Sequence, residues 1–521
     1  MKTLLGALLI SAAMGNPVLA ETIRWARMAD ALSLDPHATN QGITAGFLHH
    51  VYETLVDTDA EGNLVPRLAT EWMVKDTSPD TWVFKLRPDV TFHDGAAFTA
   101  EDVVFSINRA RSEGSLMRSL HGAVVDVVAV DDLTVEVKMA APSPIYPRNL
   151  TNTFMMDLTW AEANNVVKVQ DFTAGEDNYA VRNTNGTGPY VLTSREPEVR
   201  SMLTLNEKHW AETSPGITDI EYLTIADPAT RTAALLSGEV DLILDMPVQD
   251  IERISAADGV KVVTGPENRV IYFSYRIGQY LHNEGAGEMS PFTDLKVREA
   301  VDLAVDRDAI RQIIMRGQSI PTDVVAPPFV NGWTEEIATY SKPDVERAKA
   351  LLAEAGYPDG FSITLDTPNN RYVNDEAISQ AVVGMLARVG IRVSLQSRPM
   401  AQHSQYFQSG ESDFFLMGWG VPTFDSAYTF SGLMHTRTDT AGLYNPVGYS
   451  NPELDAMIDG IETEMDIEKR NAMIAEAWAI IEVDRPVLAI HTQSLAYGMR
   501  ENVNVAIHPG DMPRMYQATI D

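Results

Sequence analysis

Histidines and carboxylates at short spacing are where chemistry would first be sought, and the chain offers two such places. His93-Asp94-Gly95 pairs two metal-ligand types of the kind that hydrolyse phosphoesters. It lies between an alternating strand pattern and a helix start, however, where Asp-Gly is a common turn, and the turn is the preferred reading. His49 and His50 are adjacent and lack the His-Glu-x-x-His spacing that puts two ligands and a general base on one helix face. No Gly-x-Ser-x-Gly elbow and no phosphate-cradling Gly-rich loop with its Lys occurs. With no cysteine, thiol nucleophiles and thiolate zinc sites are excluded. The other histidines are scattered; His435 could meet a metal chelate, although an ordinary loop histidine is the simpler reading. The residue inventory offers no recognised catalytic motif, and no cofactor or resident metal is expected from it.

The elements that must position a binding site show a repeat. "SGEVDLIL" at Ser237–Leu244 and "SGESDFFLM" at Ser409–Met417 each follow a helical stretch, turn at Ser-Gly and enter an apolar strand. Both strands run out into Pro-bearing loops, "DMPVQD" and "GWGVPT". In open α/β sheets ligands bind beyond the carboxyl ends of strands, so two such units facing each other would make one cleft. A good helix stop used twice by chance is the alternative.

Strands and helices alternate along the remaining chain, which predicts an α/β protein. Thr99 and Asp102 form a capping box ahead of Val103, Val104 and Ile107. Phe47, Val51 and Leu55 step by four and predict a helix through "GFLHHVYETLV". Val297, Val301 and Val305, then Ile310, Ile313 and Ile314, predict a long helix ending at Gly317. Asn451 and Pro452 start another.

Seven phrases occur in a fixed order: "HHVYETLVDTDAEGNLVPRLATEW", "WVFKLRPDVTFHDGAAFTAEDVVFSINRA", "NGTGPYVL", "LLSGEVDLI", "DLKVREAVDLAVDRDAI", "MGWG" and "YSNPELDAMI". Together they resemble the extracytoplasmic solute-binding proteins of peptide, nickel and oligosaccharide ABC importers, over nearly all of Glu21–Asp521. The resemblance implies an α/β, two-lobed periplasmic binding protein fold (class II, cluster C type) with an extra subdomain on the first lobe. Lobe one is expected at 21–47, 183–275 and 491–521, the extra subdomain at 48–182, and lobe two at 276–490. The crossings near "IYFSYR" and "PVLAIHT" are the expected hinge, around which such proteins close on their ligand.

Carried over residue by residue, the resemblance implies that Met417-Gly418-Trp419-Gly420 offers backbone groups to the ligand. The bare α-carbons of Gly418 and Gly420 would permit close approach there. It also implies that Arg371, in "NNRYVND", grips a carboxylate, for which a planar guanidinium is suited by its two parallel N–H donors. Trp419 as a core aromatic and Arg371 as a surface charge are the alternatives. Peptide binders carry an Asp three residues after the Trp for the ligand's ammonium, and here that position is Pro422, with neither charge nor amide donor. Asp425 is a substitute in reach, though it matches a structural position. Asp30 and Ser33, with Arg27 and His37, follow the first strand, where pocket residues are expected.

The implied function is capture of a small peptide-like or carboxylate-bearing solute and delivery to an inner-membrane ABC permease. The alternatives are a non-peptide solute (oligosaccharide, metal chelate or opine-like compound), a ligand-presenting sensor, and least of all a periplasmic hydrolase. The first twenty residues, with Lys2, an apolar run and Val18-Leu19-Ala20, predict a cleaved secretory signal ahead of Glu21. Without cysteine no lipid anchor is expected, so the mature chain should be free in the periplasm, monomeric and without disulfides. A net charge of −32 disfavours nucleic acid and anionic membranes and favours solubility.

Overall fold

The computed structural model describes residues 21–211, 216–438 and 440–521. The expected secretory signal lies outside them. An eleven-stranded sheet runs through the molecule. From one edge to the other its main path is Arg392–Arg398, Ser362–Pro368, Phe414–Trp419, Val260–Tyr275, Val487–Arg500, Leu242–Ile243, Glu21–Arg27, Ile217–Thr224, Arg200–Leu205 and Tyr190–Glu196. A separate antiparallel sheet of four strands, Ala69–Lys75, Ser78–Leu86, Thr134–Met139 and Val124–Asp131, holds its own core with the helix Ala100–Ala110.

Cores on the two halves of the long sheet are built from different residues. Trp25, Tyr222, Leu242 and Tyr497 anchor one half. In the other, alternation splits the strands between two layers. Ile271, Phe273, Tyr275, Phe414 and Leu416 face one layer of helices, and Val270, Tyr272, Phe415, Met417 and Trp419 face the other. Burial on both faces explains why "DFFLM" reads as a continuous apolar run. The architecture is the two-lobed α/β arrangement expected.

Among the described residues two long strands, Val260–Tyr275 and Val487–Arg500, run through both halves. They pair antiparallel, but the register shifts between Pro266 and Val270, so that Glu267, Asn268 and Arg269 bulge opposite Gln493. Val270 and Ile271 already pack in the second pair of layers. The ladder between the two strands is thus interrupted at Glu267–Arg269, just before "IYFSYR".

The repeated phrase has a shared physical cause. Gly238 and Gly410 take left-handed φ values of +81° and +74°, which end the helices Pro228–Ser237 and Met400–Gln408. Each following Asp then holds an arginine of the sheet: Asp241 binds Arg24 at 2.6 Å and Asp413 binds Arg276 at 2.6 Å. Two helix expectations need correction. The first helix is Gly42–Leu48 and stops there. The carbonyls of His50 and Val51 accept instead from Tyr190 and Gly188, so long-range pairing overrides the four-residue spacing, though Phe47, Val51 and Leu55 are all buried. The predicted long helix is Leu295–Ala304, then Arg307–Ala309 and a wide turn Ile310–Ile314, divided by extended Val305.

Candidate functional site

A cavity of about 210 Å³ opens where the bulge, the first half and the second half meet. The first half contributes Asn40, Gly42 and Ala45 at the start of the helix Gly42–Leu48, then Asp57, Thr58, Thr151 and Asn152. Its C-terminal loop adds Pro509, Gly510, Met512 and Arg514. The bulge adds Glu267, Asn268 and Arg269, and the second half adds Gly420, Val421, Pro422 and Phe424, the loop that follows the strand Phe414–Trp419. The cavity thus lies beyond a strand's carboxyl end, as the repeat suggested.

Its charges are almost all matched. Arg514 binds Asp57 at 3.0 Å. Burial pushes the Asp57 carboxyl up, but the Arg514 guanidinium beside it holds it well below the usual carboxylate range. Burial, then Arg514, lowers His49 far below the usual histidine range and His508 to about 3, so both rings are neutral. Arg269 donates Nε to Glu267 at 2.8 Å, and Glu267 also accepts from Gln493 on the other crossing strand. Gln493 in turn accepts from the backbone of Val373 at 3.2 Å, which ties the bulge to the loop that carries Arg371.

Arg371 differs from these. Among the described residues its guanidinium makes no ion pair and no hydrogen bond, and it stands 5.3 Å from the centre of the Tyr372 ring. It is exposed beside the cavity rather than among its lining residues. Desolvation, and next the charge of Arg269, lower its pKa from the usual arginine value. Tyr372 lies over Gly418: a Cβ there would sit 2.6 Å from the ring. The bare α-carbon of Gly418 therefore admits Tyr372, and ligand approach at that glycine is not what its missing side chain serves in this conformation. Gly420 does line the cavity.

Other expected site residues fall elsewhere. Met417 and Trp419 are core residues; the indole Nε1 donates to Thr429 Oγ1 at 3.0 Å, and the ring packs against Tyr428 and Tyr444. Asp425 caps the short helix Ser426–Thr429 and binds Arg470 with both oxygens at 2.8 and 2.7 Å, so it has no oxygen left for an ammonium. Asp30 is buried against Arg195 at 2.9 Å. Ser33 is buried and donates to Gln170 at 2.6 Å. Arg27 is buried between Asp245 and Asp511, and His37 lies at 2.8 Å from the Phe154 carbonyl. His93-Asp94-Gly95 makes a turn, with Gly95 at φ +96° and Asp94 accepting from Ala96. The sequence reading missed Glu267, Asn268, Arg269, Asp57 and Arg514. Pro266, interrupting an alternating strand, was the signal available for the first three.

Comparison with known proteins supports the architecture and extends it. A family model, Bacterial extracellular solute-binding proteins, family 5 Middle, matches residues 63–441. The glutathione-binding protein GsiB of Pectobacterium atrosepticum is 26% identical over 473 residues, covering 89% of this chain and 87% of the relative. The dipeptide-binding protein of Escherichia coli K12 is 25% identical over 523 residues, covering 96% and 94%. In structure the chain is similar to the periplasmic binding protein AgaA of A. tumefaciens R10, solved with agropinic acid, at a TM-score of 0.75 and 20% identity, covering 96% of this chain and 99% of that one. Among the described residues no helix is long and apolar enough to cross a membrane. The chain belongs to family 5 of the bacterial extracellular solute-binding proteins.

Proposed function

We propose that this protein is the periplasmic receptor of an ABC importer, which takes a small carboxylate-bearing solute into the cleft between its lobes and presents the closed form to a membrane permease. The observation that carries the reading is the cavity at the bulge, lined from both halves of the long sheet, with Arg371, unpartnered among the described residues, sharing the Tyr372 ring with the cavity-lining Arg269. Closing two lobes desolvates both surfaces, and only a ligand that touches both offsets that. The hinge location and the 210 Å³ volume fit a small solute. Binding without turnover is part of the proposal and is supported by the family, whose members are solute-binding proteins. Secretion through the predicted signal, a monomeric state and avoidance of nucleic acid complete the proposal.

A peptide-like compound and an opine-like compound are both within the class, the latter suggested by the structural likeness to a protein solved with agropinic acid. Native mass spectrometry of freshly purified protein, with small-angle scattering before and after ligand removal, tests the reading. One bound solute per chain and a more compact particle when it is present are expected. Multiple turnover of the solute, or scattering profiles indifferent to a tightly bound one, would refute it.

A further inference from the structure

The charges that line the cavity are matched, but its hydrogen-bonding groups are not. Asp57 and Arg514 form one ion pair, Glu267 and Arg269 another. Both Glu267 oxygens are taken, by Arg269 and by Gln493. Asp57 differs. The Thr58 amide at 2.8 Å and Arg514 at 3.0 Å both reach its Oδ1, and Oδ2 accepts nothing among the described residues. The Asp57 side chain is 8% exposed, on the cavity that it lines.

Three neighbours that line the same cavity also carry open groups, and their partners fix which way each proton points. Arg514 Nη2 stands 3.5 Å from His49 Nε2. A guanidinium can only donate, so Nε2 accepts and the neutral ring carries its proton on Nδ1, which has no partner among the described residues. The Gly510 amide donates to His508 Nδ1 at 3.1 Å, so His508 gives its Nε2 proton to Thr58 Oγ1 at 3.4 Å. The hydroxyl proton of Thr58 is then unspent. Asn152 donates Nδ2 to Thr151 at 3.3 Å, and its Oδ1 receives nothing among the described residues. The wall therefore offers open acceptors at Asp57 Oδ2 and Asn152 Oδ1, and open donors at His49 Nδ1 and Thr58 Oγ1.

Mixed donors and acceptors with no spare charge select the group that fits. An ammonium only donates and would stand beside the Arg514 charge; a carboxylate only accepts and would face Asp57. A hydroxyl does both, and against an ionised carboxylate it makes a charge-assisted bond without bringing a second charge to be buried. A peptide brings one N–H and one C=O per residue. A polyol brings a donor and an acceptor on every carbon, the density that open groups along one wall of a 210 Å³ cavity demand. Phe424 and Met512 give its carbon skeleton an apolar side. Resting on the receptor reading above, we infer that His49, Asp57, Thr58 and Asn152 form a hydroxyl-binding wall, and that the solute lays an uncharged polyhydroxylated head against it.

Calorimetry and differential scanning fluorimetry on the dialysed full chain at neutral pH test the wall. The probes are pentonic and hexonic aldonic acids, pentanoate and hexanoate as their matches without hydroxyls, neutral pentitols and hexitols, and dipeptides with free and N-acetylated amino termini. The tightest aldonic acid should bind at least about tenfold more tightly than its deoxygenated match. Asp57→Asn and Asn152→Ala should each remove most of that advantage, and change the affinity for the deoxygenated acid less than about twofold. If Asp57→Asn does not fold, Thr58→Val combined with Asn152→Ala gives the same loss. Silence of every polyhydroxylated probe, a deoxygenated acid that binds as tightly as the aldonic acid, or undiminished affinity in the variants overturns the wall. A dipeptide that binds more tightly than any polyhydroxylated probe and compacts the protein overturns the wall and leaves the receptor reading standing. Neutral hexitols that bind as tightly as aldonic acids support the wall and remove the carboxylate from the receptor reading. Turnover of a polyhydroxylated probe would instead keep the wall and overturn the receptor reading.

Discussion

The side-chain amide of Asn268 pairs with the main chain of Val421 in both directions: Nδ2 donates to the Val421 carbonyl at 2.7 Å, and the Val421 amide donates to Oδ1 at 3.1 Å. The backbone amide of the same asparagine donates to the Pro509 carbonyl at 2.8 Å. One residue of the bulge thus fastens both the loop that follows the strand Phe414–Trp419 and the C-terminal loop. A second latch works alongside it, where Arg148 donates to the carbonyls of Gly62 and Thr423 at 3.0 and 3.3 Å.

Loss of the Asn268 clamp should open the closed form. Asn268→Ala removes two net hydrogen bonds of about 1 kcal/mol each, so solute affinity should fall roughly tenfold or more. Asn268→Asp keeps the acceptor but turns a carboxylate oxygen toward the Val421 carbonyl, where two acceptors repel, and should lose at least as much. Calorimetry with the co-purifying solute, and scattering of its complex, measures both; equal affinities in all three proteins would remove the clamp from the mechanism.

Arg371→Ala should weaken an anionic solute by about 1.5–3 kcal/mol, the usual scale for a hydrogen bond to a charged group. Since Arg371 has no partner among the described residues, the thermal stability of the unliganded chain should stay within about 0.5 kcal/mol of the parent. An unchanged dissociation constant would place Arg371 outside the site.

Asp425→Ala should do the reverse. Removing one partner of the buried Asp425–Arg470 pair strands a cation and costs about 3–5 kcal/mol of stability. The folded fraction should still bind solute with parental affinity. Denaturant melts and calorimetry at low temperature separate the two readouts, and a large affinity loss without destabilisation would return Asp425 to the ligand.

Stability should carry an inverted acid signature from Asp511. Burial raises its pKa to about 6 against the pull of Arg27, and Asp245, sharing that arginine, adds to the rise. Because the folded pKa lies above the unfolded one, ionisation opposes folding: the penalty is complete above pH 6 and fades as pH falls toward 4. Asp511→Asn should therefore be more stable than the parent at pH 7.5, by no more than about 3 kcal/mol, with the gap closing toward pH 4. Melting temperatures across that range check it. A gap that widened on acidification would show the assignment to be wrong.

Much of the fold was legible in local pattern. Alternation located Ser78–Leu86, the Thr99–Asp102 capping box located Ala100–Ala110, and Ser-Gly stops located both helix ends of the repeated unit, because these depend on a few consecutive residues. The long-range pairing that ended the first helix at Leu48 was not legible, since Gly188 and Tyr190 reach His50 and Val51 from far along the chain.

The sequence alone determined that this chain builds an α/β protein with a repeated helix–turn–strand unit, that it has no thiol to offer, and that an arginine waits in "NNRYVND". Only the tertiary structure decided which groups share the cavity. Trp419 and Asp425 were drawn into packing and an ion pair, while Asn268, Arg269 and Arg514 were brought in from remote segments. Local propensity is written in neighbouring residues, whereas a pocket depends on which faces of distant segments meet and which charges find partners there.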